Sequence, residues 1–292
     1  MTRLAAVFAL LAALLAADQP YRAEVEAWRS QREADLRGEG GWLSVAGLFW
    51  LKEGPNRFGS AKENAIVLPA GSAPPVAGTL ELRGGKVTAR IEPGVEVTTE
   101  GKPVSVLELR PDTTAAPDVL KVGRLTLHVI VRGDRVGVRL KDPEAPTRRQ
   151  FTGLRWFPVK DEYRVSGRFV AHPGPLTIAV PNILGQVIEM PSPGYVTFTL
   201  QDRELRLDPV LEEPGAKELF FIFRDETAGH ESYPAGRFLY TALPRDGAVM
   251  LDFNKAYSPP CAFTAFATCP LPPKQNRLPV RVEAGEMYTG HH

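Results

Sequence analysis

Residues 125–140 read LTLHVIVRGDRVGVRL. Apolar residues alternate with polar ones on both sides of Arg132-Gly133-Asp134, and a period of two is typical of a strand with one buried face. The Gly-Asp pair between the two runs is a turn signal. The stretch therefore predicts a β-hairpin in an antiparallel sheet.

The same period recurs along most of the chain. Residues 79–83 and 86–91 flank Gly84-Gly85 and predict a second hairpin. Further short strands are predicted over residues 163–170, 176–180, 186–190, 195–200, 203–207, 219–223, 236–242 and 248–253. The last two are predicted to form a third hairpin across residues 244–247. No helical pattern separates these runs, so we expect a mostly β protein with antiparallel sandwich or barrel-type sheets.

The N-terminus has the three parts of a secretory signal peptide. Thr2-Arg3 precedes an apolar run over residues 4–17, which is followed by Asp18-Gln19-Pro20. The run is too short to span a bilayer comfortably, so we expect no stable membrane span after cleavage. We predict a signal peptide over residues 1–17 and export to the periplasm or the extracellular space, the alternative being a retained N-terminal helix or anchor.

One amphipathic helix is predicted after this leader, over residues 18–40. Tyr21, Val25 and Trp28 recur at helical spacing, and Gly38 and Gly40 mark the end of the pattern. The rest of the chain divides at the polar stretch 142–150. This predicts a β-sandwich over residues 41–141 and a second β domain over residues 142–292, which ends in a segment rich in Pro and Cys.

Composition and motifs exclude several classes of function. The 292 residues carry 35 basic and 34 acidic side chains, without the basic surplus that a nucleic-acid partner requires. The common motifs of serine hydrolases, nucleotide-binding loops and dinucleotide-binding folds do not occur. The spacing of His, Asp and Glu is not that of a metal site, so we expect neither a metal nor a cofactor.

Three segments of the N-terminal half resemble forkhead-associated domains in order and spacing. They read GPNRFG at residues 54–59, NAIVLP at residues 64–69 and GKPV at residues 101–104. The resemblance implies a β-sandwich. Forkhead-associated domains bind phosphothreonine through an Arg and then a Ser and a His on the following loops. Here the loop after Pro69 reads AGSAPP with no following His, which argues against phosphopeptide binding.

A second resemblance extends from about residue 21 to residue 286. Its motifs are GWL at residues 41–43, Arg139 with Asp142-Pro143, FTG at 151–153, Phe223 with Asp225-Glu226-Thr227, Tyr233 with Gly236-Arg237, DFNKAYSPPC at 252–261, CPLPP at 269–273, Asn276-Arg277-Leu278 and EAGE at 283–286. In these motifs the chain is similar to the bacterial domain-of-unknown-function 1684 family. The resemblance implies a fold and a kinship, but no activity.

The most distinctive feature is the C-terminal block, residues 252–286. Asp252 and Asn254 flank Phe253 at a strand end, which places their side chains on one side of the sheet. Repeated prolines stiffen the chain that follows. The block is either the edge of a pocket, with Asp252 as a base and Asn254, Asn276 and Glu286 as ligand-binding groups, or a structural strap whose polar groups bond to loop backbone.

Two cysteines lie within this block. In an oxidising compartment Cys261 and Cys269 can close a small disulfide loop, and in a reducing one they would be thiols. As a catalytic nucleophile, Cys261 would need a base, for which His230 is the first candidate and His128 and His172 are the alternatives.

Polar residues also concentrate after the apolar run 219–223. Asp225 and His230 are candidates for acid–base chemistry, and Tyr233 and Arg237 are candidates for ligand binding. The alternative is a turn in which these groups bond to backbone and to one another. Arg139 either forms an ion pair with Asp142 or reaches an anionic ligand.

These observations leave three functions open, and an enzyme is not distinguished from a binding protein. The first is an exported β module that binds a small-molecule or envelope ligand between residues 225–237 and the C-terminal block. The second is a hydrolase that uses Asp225, His230 and Asp252 as acid–base groups. The third is a structural or interaction protein without a small-molecule site.

Overall fold

The computed structural model describes the backbone of residues 2–288 and 290, and the side chains of residues 20–288 and 290. The signal peptide predicted over residues 1–17 lies outside the described side chains, and export stays a prediction. Helix α1 spans Thr2–Arg37. Within the described part of the chain, no helix combines the length and the hydropathy needed to cross a membrane.

The chain forms two compact units. The sandwich unit contains Arg37–Phe151 and Thr264–Ala267, and the helix–sheet unit contains Met1–Leu36, Thr152–Phe263 and Thr268–His292. The mostly β class that the sequence predicts is confirmed, because the described residues form nineteen strands and two α-helices.

The sandwich unit is built from eleven strands and a short helix. They are β1 (Val45–Trp50), β2 (Gly54–Gly59), β3 (Ile66–Val67), β4 (Gly78–Arg83), β5 (Lys86–Ile91), β6 (Thr98–Thr99), β7 (Lys102–Pro103), β8 (Val106–Leu109), β9 (Val119–Val122), β10 (Leu125–Arg132), β11 (Arg135–Lys141) and α2 (Pro146–Arg149). The hairpins predicted over residues 79–91 and 125–140 are present as β4–β5 and β10–β11.

Two sheets form this unit, with strand orders β1-β11-β10-β9-β6-β7 and β3-β2-β4-β5-β8. Their inner faces share one core, in which Phe58 and Leu80 of the second sheet join Leu127 and Val138 of the first. Alternate residues of β10 point into this core, as the period of two requires. The described pairs are antiparallel except for the two-residue contact between β2 and β3.

The helix–sheet unit contains α1 and eight strands. They are β12 (Arg155–Trp156), β13 (Arg164–Pro181), β14 (Val187–Leu200), β15 (Arg203–Leu207), β16 (Glu218–Phe223), β17 (Arg237–Ala242), β18 (Ala248–Asp252) and β19 (Glu286–Met287). Their sheets have the orders β15-β14-β13-β18, β16-β17 and β12-β19. The prediction of a hairpin over residues 236–253 is wrong, because β17 pairs with β16 and β18 pairs with β13.

Two long strands replace four predicted short ones. The sequence predicts a break between residues 170 and 176, where Pro173, Gly174 and Pro175 lie, but β13 runs through them. The register with β14 shifts there, between Ala171 and Leu176. The prolines are tolerated because β18 pairs with β13 only over residues 164–168, so no ladder on that side needs their missing N–H groups.

The core of the helix–sheet unit includes the end of the C-terminal block. Leu278, Val280, Val282 and Ala284 are buried at every second position and pack with Phe221 and Leu251. The backbone of this segment bonds to residues 224–226, through Leu278 N–H to Arg224 O (2.8 Å) and Glu226 N–H to Val280 O (3.0 Å). The segment therefore fixes the loop that follows β16. A 3-10 turn, Phe253–Lys255, follows β18.

Candidate functional site

A cavity of about 550 Å³ lies beside α1 in the helix–sheet unit. Its lining residues are Glu24, Trp28, Gln31, Arg32, Asp35, Arg164, Glu218, Tyr240, Thr241, Ala242, Met250, Asp252, Lys255 and Tyr257. The α1 residues among them lie at positions i, i+4, i+7, i+8 and i+11, which is one face of a helix. Tyr21, Val25 and Leu36 form the buried stripe of the same helix.

Tyr240 and Tyr257 of the lining belong to an aromatic row. Phe220 and Tyr240 are opposite each other on β16 and β17, and their rings stack at 4.6 Å with an angle of 14°. The Tyr257 ring continues the row 6.4 Å from Tyr240 and is tilted by only 13°. Burial raises the pKa of Tyr257 to about 12 and also raises the pKa of Tyr240, so both phenols are protonated at neutral pH.

Arg32 ends this row. Its Cζ lies 4.3 Å from the centroid of the Tyr257 ring, and Nη2 donates to Ser258 O at 2.9 Å. Nε is 3.7 Å from Oε2 of Glu286, a carboxyl that is 1% exposed and whose pKa is raised by burial. Ring, carbonyl and carboxyl thus hold the guanidinium in one orientation at the cavity wall.

Asp252 lines the cavity and is linked to α1. Its Oδ1 accepts from Tyr21 Oη at 2.8 Å and from the Asn254 N–H at 3.2 Å. The Asn254 amide donates to Tyr21 Oη at 2.9 Å, donates to Lys160 O at 2.8 Å and accepts from Lys160 N–H at 3.1 Å. Asp252 therefore contacts the cavity, whereas the fully buried Asn254 joins α1, the 253–255 turn and the chain before β13.

Lys255 lies between two carboxylates of the lining. Its Nζ is 2.5 Å from Glu24 Oε1 and 3.8 Å from Asp252 Oδ2. The hydrogen bond from Lys255 lowers the pKa of Glu24. Arg164 and Glu218, also in the lining, form no ion pair with a described residue, and the Arg164 guanidinium rests 4.5 Å from the Tyr21 ring.

Asp225 and Arg237 form a separate buried group outside this lining. Arg237 Nη2 donates to Asp225 Oδ1 at 2.9 Å, and Oδ2 accepts from the hydroxyl of Thr227 and from the N–H of Val282, both at 2.8 Å. Both carboxylate oxygens are occupied by protein donors, which is the arrangement of a structural anchor. His230, in the same loop, is exposed.

Cys261 and Cys269 are adjacent and each 4% exposed. The N–H of Cys261 donates to Cys269 Sγ at 3.2 Å, and Tyr233 Oη donates to Cys261 O at 3.0 Å. Hydrogen bonding with Cys269 lowers the pKa of Cys261. The disulfide stays a prediction, and neither cysteine lines the cavity beside α1.

The other two candidates also bond within the protein. Asn276, 1% exposed, accepts from Asp208 N–H at 2.8 Å and donates to Asp208 O at 2.9 Å and Ile222 O at 3.0 Å. Arg139 lies in the sandwich unit with its Cζ 4.9 Å from the Trp42 ring. Both oxygens of Asp142 accept from Arg124, at 2.8 and 3.0 Å, so the partner that the sequence suggested for Arg139 is engaged elsewhere.

The structure thus brings few of the sequence-predicted residues to one place. Asp252 is the candidate that lines the cavity. Asn254 contacts Asp252, and Glu286 contacts the lining residue Arg32. Sequence reasoning missed Trp28, Arg32, Arg164, Tyr240, Lys255 and Tyr257. The helical spacing of residues 24, 28, 31, 32 and 35 was the one signal that could have pointed to this face. Among the described side chains, no three His, Cys, Asp or Glu residues are grouped as a metal site would require.

Among solved structures, the chain is similar to an uncharacterized protein of Haloarcula marismortui. The two are 31% identical over 52% of this chain and 85% of that one, with a TM-score of 0.43. Two forkhead-associated domains are each 15% identical to this chain. One has phosphothreonine-dependent interactions, and the other is the FhaA domain. Each match covers 32% of this chain, and the matches cover 92% and 97% of the two domains respectively. Both TM-scores are 0.24.

No curated protein matches the sequence. Residues 149–287 match the model of a family described as "Protein of unknown function (DUF1684)". This range holds the motifs from residue 151 to residue 286 on which the sequence resemblance rested. The chain belongs to the DUF1684 family.

Proposed function

We propose that the helix–sheet unit binds a small ligand in the cavity beside α1. The observation that carries the proposal is that aromatic and ionisable side chains from α1, four strands and the segment 255–257 meet in one cavity of about 550 Å³. Small-molecule sites have volumes of about 300–1,000 Å³ and combine apolar walls with a few fixed polar groups.

Preorganisation of the lining supports the proposal. Arg32 is held by Tyr257, Ser258 O and Glu286 before any ligand arrives, and Asp252 is held by Tyr21 and Asn254. A group that is already oriented loses little conformational freedom on binding, so more of its interaction energy appears as affinity. The N-terminal pattern predicts export, and the ligand would then be one of the cell envelope or the medium.

The competing hydrolase hypothesis gives acid–base roles to Asp225, His230 and Asp252. Of these, Asp252 lines the cavity, while the carboxylate of Asp225 is engaged by Arg237, Thr227 and Val282. A structural or interaction protein is the third alternative. It needs no cavity lined by oriented polar groups.

The test is a thermal-shift screen of a metabolite library against the wild-type protein, because a ligand that binds only the folded state raises the melting temperature. Arg164→Ala removes an exposed lining residue and should reduce the shift. Arg168→Ala is the matched control, since Arg168 is an exposed arginine of the same strand outside the lining. Hits that are equally strong with both variants, or no hits at all, would overturn the proposal. Turnover of a hit that Asp252→Asn abolishes without unfolding would favour the hydrolase.

A further inference from the structure

We infer that the ligand of this cavity is a neutral saccharide. The inference rests on the proposed function and adds to it the chemical class of the ligand. It follows from three properties of the lining, namely the near balance of its charges, the mixture of its hydrogen-bonding groups and the half-buried Trp28 ring.

The charges of the lining are interspersed and differ by one in number. Three cationic side chains (Arg32, Arg164, Lys255) face four carboxylates (Glu24, Asp35, Glu218, Asp252). Lys255 contacts two of these carboxylates, and Arg32 has a fifth, Glu286, behind it. A site that selects an ion carries a surplus of the opposite charge, which raises the local concentration of that ion. This lining has no such surplus for a simple anion, and its cations oppose the binding of a simple cation.

The polar groups of the lining are of both hydrogen-bonding kinds. Arg164 and Arg32 offer only donors, whereas Glu218 and Asp35 offer only acceptors when ionised. A hydroxyl group donates and accepts, so a ligand that carries several hydroxyls can bond to both kinds of group without bringing a charge into the cavity. A guanidinium or a carboxylate group can also form two parallel hydrogen bonds, which suit two adjacent hydroxyl groups of one sugar ring.

Aromatic rings supply the apolar part of the lining. Trp28 and Tyr257 are half-buried, with ring centroids 6.1 Å apart and an angle of 50° between them. The face of an aromatic ring is its negative part. The C–H bonds on one side of a sugar ring carry a small positive charge, so such a ring packs on an aromatic face while its hydroxyls point to the polar groups. Trp28, tilted by 50° against Tyr257, supplies such a face, whereas Tyr257 lies between Tyr240 and Arg32.

The experiment measures binding of maltotriose, cellotriose and tri-N-acetylchitotriose by saturation-transfer NMR. Triglycine serves as a zwitterionic comparator and inorganic phosphate, followed by ³¹P line width, as an anionic one. We expect at least one trisaccharide to bind, with saturation concentrated on its ring C–H protons. Glu218→Ala should weaken that binding about tenfold, the loss expected for one hydrogen bond to a charged group. Glu204→Ala should leave it unchanged, since Glu204 is an exposed strand carboxylate of the same unit outside the cavity.

Trp28→Phe separates loss of a ring face from loss of the fold. The variant keeps an aromatic ring against Trp156 and Tyr257, so it should fold and bind trisaccharide more weakly. Binding of triglycine or phosphate that Glu218→Ala alters, without binding of any trisaccharide, overturns the saccharide class and leaves the proposed site standing. The saccharide class is likewise overturned if the metabolites that bind the cavity are not saccharides. A library without hits removes the proposed function and this inference together.

Discussion

Arg237 Nη2 lies 2.9 Å from Asp225 Oδ1, in an ion pair whose two side chains are 0% and 1% exposed. Arg237 also donates to the carbonyl oxygens of Ala284 and Val282, and Asp225 accepts from Val282 N–H. The pair therefore connects the loop after β16, the start of β17 and the C-terminal block. Two charges buried this deeply are stable only while both are present, because either one alone would be left without its counter-charge.

We expect Asp225→Asn to destabilise the protein strongly. The substitution keeps the size of the side chain but leaves the guanidinium of Arg237 buried without a negative partner, at a cost of about 3–5 kcal/mol in the free energy of unfolding. Urea denaturation followed by circular dichroism measures this change. Glu231→Gln is the control, since its ion pair with Arg281 is 37% and 39% exposed and its loss should change stability little. An equal effect of the two substitutions would contradict a structural role for the Asp225–Arg237 pair.

Asn254 and Tyr21 should be energetically coupled. Asn254→Ala removes three hydrogen bonds and leaves the N–H and C=O of Lys160 without their partner, so we expect a loss of about 3 kcal/mol or more. Tyr21→Phe removes one member of the same cluster and should cost less. A double-mutant cycle should give a coupling energy of about 0.5–3 kcal/mol. Strictly additive losses would show that the cluster does not act as one unit in holding α1.

Local patterns predicted the strands well where one face of a strand is buried. Residues 125–140 form β10 and β11 because alternating side chains meet one shared core. The same reasoning failed at Pro173-Gly174-Pro175, since a proline ends a strand only where a neighbouring strand needs its N–H group. Whether a strand pairs with β13 beside these prolines depends on β18, which lies some 75 residues later in the chain. No local pattern carries that information.

The candidate site was predictable only in part, for a similar reason. Asp252 was found because it ends a strand beside other polar residues. Arg32 and Tyr257 are more than 220 residues apart, and their contact depends on how α1 packs against the 3-10 turn after β18. Conversely, Asn276 resembled a site residue because it is a polar group in a stiff segment, but it bonds to backbone at Asp208 and Ile222.

Glu286→Gln should stabilise the protein at neutral and alkaline pH. Burial raises the pKa of Glu286 above its ordinary value of 4.5, so the folded state holds this proton more tightly than the unfolded state. Wild-type stability therefore falls as pH rises from about 4.5 through the folded pKa, and glutamine, which cannot ionise, removes this loss. Unfolding free energies at pH 4, 6 and 8 should show a variant advantage that grows with pH. Glu283→Gln, a half-exposed neighbour, is the control. An advantage that is largest at pH 4 would mean that the Arg32 contact outweighs the burial of Glu286.

The sandwich unit should lose stability in acid because of His128. Burial on β10, followed by the positive charges of Arg139 and Lys141, lowers the pKa of His128 from 6.5 to about 4. The unfolded chain then binds a proton more tightly than the folded one between these two values, so stability falls as pH drops from 6.5 to about 4. The loss at pH 4 is at most about 3 kcal/mol.

Hydrogen exchange of the β10 and β11 amides at pH 6.5, 5 and 4 measures this loss of stability. His128→Gln should flatten this dependence, whereas His230→Gln, at an exposed histidine of the helix–sheet unit, should not. An unchanged slope in His128→Gln would assign the acid sensitivity of these strands to other groups.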